Sequence, residues 1–383
     1  MQSFDVQNTP CYFVTEQPDL DNMVARLASE PLLAIDTEFL RTNTFYPIVG
    51  LLQLAAPSVC YLVDPLTGMD LEGLKTLLFD PDRRLVMHAC SEDLEVFQGL
   101  FGDIPQNVFD TQVAASMVSR DQQLGLQRLI LNFTGIEIPK DETRSDWTRR
   151  PLTQSQMEYA ALDVVCLLQV YDALAEQLDA LDRMAWCEEE CSRIVDGYRK
   201  EAPIDTYYRT MGDAWKLKGK KLEALQALAA WRERTAREKN RPRGFIFSDR
   251  ELFAISDQLP GSVAELSRIA DFKPVQIRRY GEAAVAVVKE VLAQPDQALP
   301  AVARPFNNQV KKAVKSVKPV LEKKAEELGM ATDRLSNRRN LEKLIKSRLE
   351  GRQLPGYYSG WRRDVLVPAI QSALEKYQAS GQS

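Results

Sequence analysis

The chain has 383 residues, 45% of them hydrophobic and 27% charged, which is typical of a globular protein with two or three domains. No stretch approaches the roughly 18 apolar residues of a membrane-spanning helix, and no signal peptide is visible at the N-terminus, so we expect a cytoplasmic protein. The single histidine, His88, excludes a zinc site built from several histidines, and six cysteines without a Cys-x-x-Cys pair indicate buried thiols.

The charge is divided unevenly along the chain. Residues 1–200 hold 32 acidic and 15 basic side chains, a net charge of −17, whereas residues 201–383 carry a net charge of +12. An acidic half is suited to binding cations, and a basic half is suited to binding phosphates. We therefore expect a cation-binding domain joined to a nucleic-acid-binding region.

The first 200 residues alternate between strand-like and helix-like patterns. Short apolar runs predict strands at 32–35, 48–54, 61–63 and 85–88. Helical spacing predicts helices at 71–79, 92–100, 112–118, 126–133 and 154–182. Short connections between the first three strands favour antiparallel pairing, so we expect an α/β domain with a mixed sheet flanked by helices.

Beyond about residue 205 the pattern predicts only short amphipathic helices. A weak repeat at an offset of 89 residues aligns Ser248 with Asn337, and both residue types are good helix N-caps. The stretch 294–305, which contains prolines, separates the two copies. Two related helical modules are the expected result.

Four acids and a tyrosine stand where the predicted elements end or pack. Asp36 and Glu38 close the strand at 32–35, and their spacing puts both carboxylates on one face. Asp93 lies where a strand turns into a helix, and Tyr159 and Asp163 share one face of a late helix. Each feature alone is more typical of a solvated strand end, a helix first turn or a core edge. Together they indicate a site in which carboxylates converge on cations.

These motifs resemble those of the DEDD exonuclease superfamily, in the branch with a tyrosine before the last aspartate. The resemblance implies two divalent ions, Mg²⁺ or Mn²⁺, which clamp the attacking and leaving oxygens of a phosphodiester. Asp36, Glu38, Asp93 and Asp163 would hold the ions, with Asp36 between them, and Tyr159 would orient the attacking water. Asp110 is a conceivable further ligand, although helix capping or support of another ligand is the favoured role.

Further motifs are similar to those of the ribonuclease D family. They comprise Asp36–Phe39, Tyr46–Pro47, Gly50–Leu54, Phe109–Gln112 and Asp146–Leu152. The residues predicted to contact substrate are Thr37, Phe39, His88, Trp147 and Arg150. For His88 a structural role at the strand end is favoured, and for Trp147 and Arg150 a packed tryptophan beside a surface arginine is equally consistent with the sequence.

The basic half contains a segment that resembles an HRDC domain, a small helical module that contributes to nucleic-acid binding. Trp231–Arg232, Arg241–Arg243, Asp249 and Tyr280–Gly281 carry the resemblance, and the second copy matches less well because Arg338 replaces the aspartate. We expect a ribonuclease H-like exonuclease domain at 1–205, an HRDC domain at 206–296 and an HRDC-like domain at 297–383. Basic clusters at 216–221, 232–243, 311–318 and 334–346 are predicted to contact RNA phosphates.

The function implied is 3′–5′ exoribonuclease activity that releases nucleoside 5′-monophosphates. By resemblance, the substrates would include tRNA precursors with extra 3′ residues, and the protein would act as a monomer. Two alternatives remain open at the level of sequence: an exonuclease directed at DNA, and a non-catalytic RNA-binding scaffold. The intact set of four acids and a tyrosine argues against the scaffold.

Overall fold

The computed structural model describes residues 2–120, 124–138, 142, 145–200, 202–269, 272–304 and 308–380. Within these residues seven strands form one sheet of order β1-β2-β5-β4-β3-β6-β7. The strands are β1 (Gln2–Val6), β2 (Thr9–Val14), β3 (Leu32–Leu40), β4 (Ile48–Ala56), β5 (Val59–Val63), β6 (Arg84–Met87) and β7 (Val108–Asp110).

The sheet is mixed, as predicted. β3, β4 and β5 pair antiparallel, because short connections join them. β3 and β6 pair parallel, and β4, β5 and a helix lie between them in the chain. β1, β2 and β7 were not predicted. β1 is short and has only Phe4 and Val6 in the core, β2 begins with Thr9–Pro10, and β7 has three residues, so none gives a long alternating pattern.

The helices of residues 1–200 cover both faces of the sheet. They are α1 (Gln17–Leu27), α2 (Glu72–Leu78), α3 (Ser91–Phe101), α4 (Thr111–Val118), α5 (Leu126–Thr134), α6 (Gln154–Ala180) and α7 (Met184–Arg199). The long α6 begins with a capping box in which the side chains of Thr153 and Gln156 bond each other's backbone N–H groups. All six cysteines are buried and free, which confirms that prediction.

Alternation along β3 decides which helix each side chain meets. Ala34 packs in one core with Ala160 and Val164 of α6, whereas Leu33 and Ile35 pack in the opposite core with Leu94 of α3. Side chains at even positions of this strand therefore face α6. Asp36 and Glu38 continue that even-numbered face.

One compact unit contains Lys200–Pro305 together with the segment Arg41–Pro47. Its helices are α8 (Lys220–Glu238), α9 (Arg243–Ile246), α10 (Asp249–Gln258), α11 (Val263–Leu266) and α12 (Pro274–Ala293). Ser248 caps α10 in a capping box with Glu251, as the repeat predicted. Arg232 of the basic cluster 232–243 is buried and donates to the Phe247 carbonyl, so this arginine has a structural role.

The last helices belong to the same compact unit as the sheet. They are α13 (Asn308–Leu328), α14 (Thr332–Leu335), α15 (Arg338–Leu349) and α16 (Trp361–Ser380). Asn337 caps α15, the counterpart of Ser248 in the repeat. Arg362 of α16 links these helices to α7, because its buried guanidinium pairs with both carboxylate oxygens of Glu190.

A stacked pair of rings accompanies this ion pair. Trp361 of α16 and Trp186 of α7 lie 4.8 Å apart between centroids and nearly parallel, at 9°. Residues 308–380 are therefore packed as part of the same unit as the sheet. Among the helices that the structure describes, none combines the length and the apolar composition required to cross a membrane.

Candidate active site

Three of the four acids come together between β3 and α6. Oxygens of the Asp36, Glu38 and Asp163 carboxylates all lie within 4.8 Å of one another. The strand period of two places Asp36 and Glu38 on the face covered by α6, and Asp163 lies on the buried side of that helix. The small residues Ala160 and Ala161 are fully buried and allow the helix to approach the sheet.

Burial makes this cluster costly when all its members are charged. Burial raises the pKa of Asp36 to about 7. The pKa of Glu38 rises to about 10, through burial first and then through repulsion from Asp36, Asp163 and Asp93. Burial, followed by the charge of Asp36, raises the pKa of Asp163 well above its usual range.

One oxygen of the cluster has no partner. Asp163 is 2% exposed, and its Oδ1 is buried without a hydrogen bond to any described residue. A buried carboxylate oxygen of this kind is stable only when a proton or a cation lies against it. The oxygen-rich donor set suits hard divalent cations such as Mg²⁺ or Mn²⁺. The residues present therefore fit the metal ions that the sequence implies.

Asp93 lies apart from these three acids. It occupies the first turn of α3, is 6% exposed, and accepts a hydrogen bond of 2.5 Å from the Thr37 hydroxyl. Thr37 points to the opposite face of β3 from Asp36. Burial and then the charge of Asp36 raise the pKa of Asp93. The fourth acid is thus near enough to feel the cluster and is held by Thr37.

Asp110 shapes the turn that leads into α3. Its carboxylate caps α4 by accepting from the N–H groups of Gln112 and Val113, which confirms the predicted capping role. The same carboxylate accepts from Ala89 N at 3.1 Å and from Cys90 N at 3.0 Å. Ala89 has a φ of 54°, a left-handed conformation that an alanine adopts only under constraint. Asp110 therefore fixes the loop three residues before Asp93.

His88 and Phe39 lie at the ends of neighbouring strands. Nδ1 of His88 lies 3.0 Å from the Thr111 hydroxyl, and its Nε2 is buried without a hydrogen bond to the described residues. Burial lowers the pKa of His88, so the ring is neutral at neutral pH. Phe39 is half-buried and packs at the edge of the core that contains α3. Thr37 is buried, with its hydroxyl directed to Asp93.

Trp147 supports Tyr159 from within the core. The Trp147 side chain is 2% exposed, and its ring centroid lies 6.1 Å from that of Tyr159. A hydrogen bond from Tyr159 offsets part of the rise in the pKa of Asp163. Gly50 of β4 allows this packing, because a Cβ there would lie 2.4 Å from the Trp147 carbonyl oxygen. Trp147 presents no open ring face to a substrate.

Arg150 is fully engaged within the protein. Its Nε and Nη2 donate to the two carboxylate oxygens of Asp64, at 2.5 and 2.7 Å. Nη2 also donates to the Gly50 carbonyl, and Nη1 donates to the carbonyls of Trp147 and Arg149. These contacts account for all five guanidinium N–H groups. The structure favours the packed alternative for Trp147 and Arg150 over contact with RNA.

Gln53 lies beside Asp36, and the sequence analysis did not predict it as a residue of the site. It pairs directly with Asp36 across β3 and β4, so the two side chains share one face of the sheet. Gln53 is 0% exposed, and neither atom of its amide has a hydrogen bond to a described residue. A single glutamine inside the apolar run Gly50–Leu54 was the available signal. A buried amide without partners is costly, which indicates a role beside Asp36.

Two family models match the chain. A 3′-5′ exonuclease model matches residues 11–179, and an HRDC domain model matches residues 221–288. The exonuclease match covers all the strands from β3 to β7 and most of α6. The HRDC match lies within the unit that contains α8 to α12.

Curated relatives and solved structures align with nearly the whole chain. Ribonuclease D of Pseudomonas paraeruginosa is 37% identical over 366 residues, covering 95% of this chain and 97% of the relative. Ribonuclease D of Escherichia coli is 34% identical over 374 residues, covering 95% and 98%. The crystal structure of Escherichia coli RNase D, an exoribonuclease involved in structured RNA processing, superposes with a TM-score of 0.88 and 32% identity, over 96% of this chain and 99% of that chain.

Proposed function

Because the chain belongs to the ribonuclease D family, we infer that it is a 3′–5′ exoribonuclease that depends on divalent metal ions. The observation that carries the metal dependence is the convergence of Asp36, Glu38 and Asp163, with Oδ1 of Asp163 buried and unpaired. Three carboxylates within 4.8 Å of one another lower the stability of the fold unless a cation binds them, so we would not expect them in a site that had lost its activity. The scaffold alternative is therefore disfavoured.

We propose that Asp36, Glu38, Asp93 and Asp163 hold two cations, with Asp36 between them. The two cations, Mg²⁺ or Mn²⁺, would supply the positive charge that stabilises the attacking and leaving oxygens. Asp163 is anchored on the rigid α6 and Asp36 on β3, which fixes the carboxylates before substrate arrives. Asp93 accepts the Thr37 hydrogen bond at Oδ1, so Oδ2 is the oxygen that would bind a cation.

Tyr159 is proposed to position the attacking water. It lies one helical turn before Asp163, and Trp147 packs beside its ring, so the hydroxyl is held close to the acids. The tyrosine orients the water through a hydrogen bond and need not remove the proton itself. Hydrolysis breaks the bond between phosphorus and the 3′ oxygen of the preceding nucleotide. The products are a nucleoside 5′-monophosphate and an RNA shortened by one residue.

We propose that tRNA precursors with 3′ extensions are among the substrates, and that a monomer degrades them. The exonuclease domain is assigned to 1–205, the HRDC domain to 206–296 and the HRDC-like domain to 297–383. The matched N-caps Ser248 and Asn337 support a common origin of the two helical modules.

The test is digestion of a 5′-labelled tRNA carrying a short 3′ extension, with Mg²⁺, Mn²⁺ or a chelator, followed by end mapping. We expect stepwise shortening from the 3′ end that stops when metal is chelated. A matched single-stranded DNA of the same sequence serves as the second substrate. Faster degradation of DNA than of RNA would support the DNA-directed alternative, and metal-independent cleavage would contradict the metal assignment.

A further inference from the structure

Successive side chains of β4 pack on opposite faces of the sheet. Leu51 and Ala55 belong to the core that contains α6, whereas Leu52 belongs to the opposite core. Gln53 lies midway between Leu51 and Ala55, so its side chain is on the face that α6 covers. Gln53 therefore extends from the same face of the sheet as Asp36.

The strand register sets Gln53 directly opposite Asp36 in the antiparallel pair of β3 and β4. The pairing is regular at this point, because the irregularity of the ladder lies between Glu38 and Phe39. Directly opposed residues have Cβ atoms about 4.5–5.5 Å apart. A glutamine side chain is longer than that of aspartate by one methylene group, so its amide can reach a carboxylate at that separation. Both residues belong to the compact unit that contains the sheet.

The stability of the fold does not account for a glutamine at this position. The Gln53 side chain is 0% exposed, and neither Oε1 nor Nε2 has a hydrogen bond to a described residue. An unpaired buried amide lowers the stability of a fold, and an apolar side chain of similar size avoids that cost. Its neighbours on the same face of β4, Leu51 and Ala55, are apolar. The polar side chain that the strand pairing sets beside the amide is Asp36.

A neutral hydrogen-bond donor suits a carboxylate that binds cations. The amide of Gln53 offers two N–H donors and carries no charge. A lysine or arginine at the same position would repel the cations, and a further carboxylate would add to the repulsion within the acid cluster. A carboxylate has about four lone-pair sites, so Asp36 can bind cations and still accept an N–H group.

The site already contains one acid with a neutral donor beside it. The Thr37 hydroxyl donates to Oδ1 of Asp93 at 2.5 Å, and both side chains are buried. Thr37 thereby orients Asp93 without adding a charge. On the other face of the sheet, Gln53 is the neutral donor that stands opposite Asp36. Hydrogen-bond partners of metal ligands are generally worth about 10- to 100-fold in metal affinity or activity.

We propose that Gln53 is a positioning residue whose amide donates a hydrogen bond to the Asp36 carboxylate and orients that carboxylate toward the cations. The proposal rests on the metal-dependent exoribonuclease function and adds a residue to the same site. The alternative is a structural role, in which the side chain of Gln53 serves only the packing beneath α6. The experiments below distinguish the two roles.

The first test compares the wild type with Gln53→Met in the full chain. Methionine has nearly the length of glutamine but has neither an N–H donor nor a carbonyl acceptor. We expect the Kd for Mn²⁺, measured by electron paramagnetic resonance, to rise about 10- to 100-fold. In chelator we expect the unfolding temperature to rise by about 2–4 °C, because the variant no longer buries an unpaired amide. A purely structural role would not produce weaker metal binding in a more stable protein.

The second test measures RNA cleavage as a function of Mn²⁺ concentration. Half-maximal cleavage by Gln53→Met should require about 10- to 100-fold more Mn²⁺. The KM for RNA at saturating Mn²⁺ should be unchanged, because the buried amide acts through Asp36 and does not touch the RNA. Leu51→Met is the matched control, on the same face of β4 and opposite Glu38 in the strand pairing. It exchanges one apolar side chain for another of similar volume, so the metal affinity should not change.

The third test identifies the carboxylate through which Gln53 acts. In an Asp36→Ala background, Gln53→Met should cause no further rise in the Kd for Mn²⁺, because the carboxylate that accepts the hydrogen bond has been removed. In an Asp163→Ala background the rise should remain about 10- to 100-fold. The comparison therefore separates an effect on Asp36 from a general effect on the acid cluster.

Three results would overturn the proposal: an unchanged Kd for Mn²⁺ in Gln53→Met, an equal rise in Leu51→Met, or a full additional rise in the Asp36→Ala background. A lower unfolding temperature of Gln53→Met in chelator would also contradict it, because the amide would then stabilise the fold itself. If the wild type neither binds Mn²⁺ nor shortens RNA, the metal-dependent function fails instead. The two failures are therefore distinguishable.

Discussion

At the scale of single residues, one buried carboxylate oxygen of Asp163 indicates that the site binds a cation. Its Oδ1 lacks a partner among the described residues, while Asp36 and Glu38 stand close by. Without a cation, each added negative charge in this group raises the free energy of the folded state. Removing one of the charges should therefore stabilise the metal-free protein and abolish its activity.

We predict that Asp163→Asn raises the unfolding temperature in chelator, by about 2–4 °C for each kcal/mol of repulsion relieved. The same variant should lose at least about a thousandfold in RNA cleavage, because ligand loss removes several kcal/mol of charge stabilisation. Thermal unfolding with and without Mn²⁺ checks the first expectation. Asp172→Asn, at an exposed position of the same helix, is the control and should change neither property. A lower unfolding temperature in chelator would contradict the repulsion argument.

The pH dependence of the metal-free protein follows from the same acids. The pKa values of Asp36 and Glu38 are raised to about 7 and about 10, from ordinary values of 3.8 and 4.5. The folded state therefore binds more protons than the unfolded state in this range, so stability falls as the pH rises. We predict a falling unfolding temperature in chelator between about pH 5 and pH 8, and a larger stabilisation by Mn²⁺ at the higher pH.

Comparison with Glu38→Gln isolates this effect from other titrating groups. The variant should show a flatter pH dependence than the wild type, because one raised pKa is removed. Equal slopes in the two proteins would mean that the acid cluster does not control the pH dependence.

At the scale of elements, β4 and the segment after residue 145 meet at one glycine. A Cβ at Gly50 would lie 2.4 Å from the Trp147 carbonyl oxygen and 2.8 Å from its Cβ. The same segment carries Arg150, whose Nη2 bonds the Gly50 carbonyl. A displacement of this segment would also move Trp147 away from Tyr159. The strand thus positions the tyrosine through a close backbone approach.

We predict that Gly50→Ala costs about 1–3 kcal/mol of stability, the usual range for overpacking, and lowers RNA cleavage as well. Circular dichroism melts and single-strand digestion measure the two effects. Gly99→Ala is the matched control, since a Cβ there meets nothing within 4 Å. It lies inside α3, where alanine should stabilise the helix by about 0.5–1 kcal/mol. If Gly50→Ala were as stable as the wild type, the segment around Trp147 could move aside without cost, and the prediction would be wrong.

At the scale of the whole molecule, the C-terminal helices and the sheet unit stabilise each other through buried contacts. Arg362 is 0% exposed and pairs with both oxygens of Glu190 on α7. The flanking Trp361 and Trp186 bury their stacked faces beside this pair. A buried charge that loses its partner is strongly destabilising, so the pair ties the C-terminal helices to the exonuclease fold.

We predict that Arg362→Met lowers the unfolding temperature of the exonuclease itself, because loss of one partner from a buried pair costs about 3–5 kcal/mol. Residual RNA cleavage after stepwise heating measures the stability of the catalytic unit. Arg363→Met is the control, at an exposed neighbouring position of α16. Heat inactivation unchanged from the wild type would show that residues 306–383 unfold independently.

The sequence by itself predicted the candidate acids and the tyrosine, together with the strands β3 to β6 and the helices α2 to α6. Asp36 and Glu38 share a strand face because the period of a strand is two, and Tyr159 and Asp163 share a helix face because they are four apart. The caps Ser248 and Asn337 could be identified for a similar reason, since their chemistry acts within one helical turn. These features depend on neighbours in the chain, so local patterns are sufficient to predict them.

Only the tertiary structure decided what those residues contact. The hydrogen bond from Thr37 to Asp93, the five bonds of Arg150 and the unpaired amide of Gln53 all depend on groups far away in sequence. The same is true of Arg41–Pro47 and of the C-terminal helices, which belong to other units than their sequence neighbours suggest. Packing of distant segments is selected by shape, charge and burial together, and no local pattern contains that information.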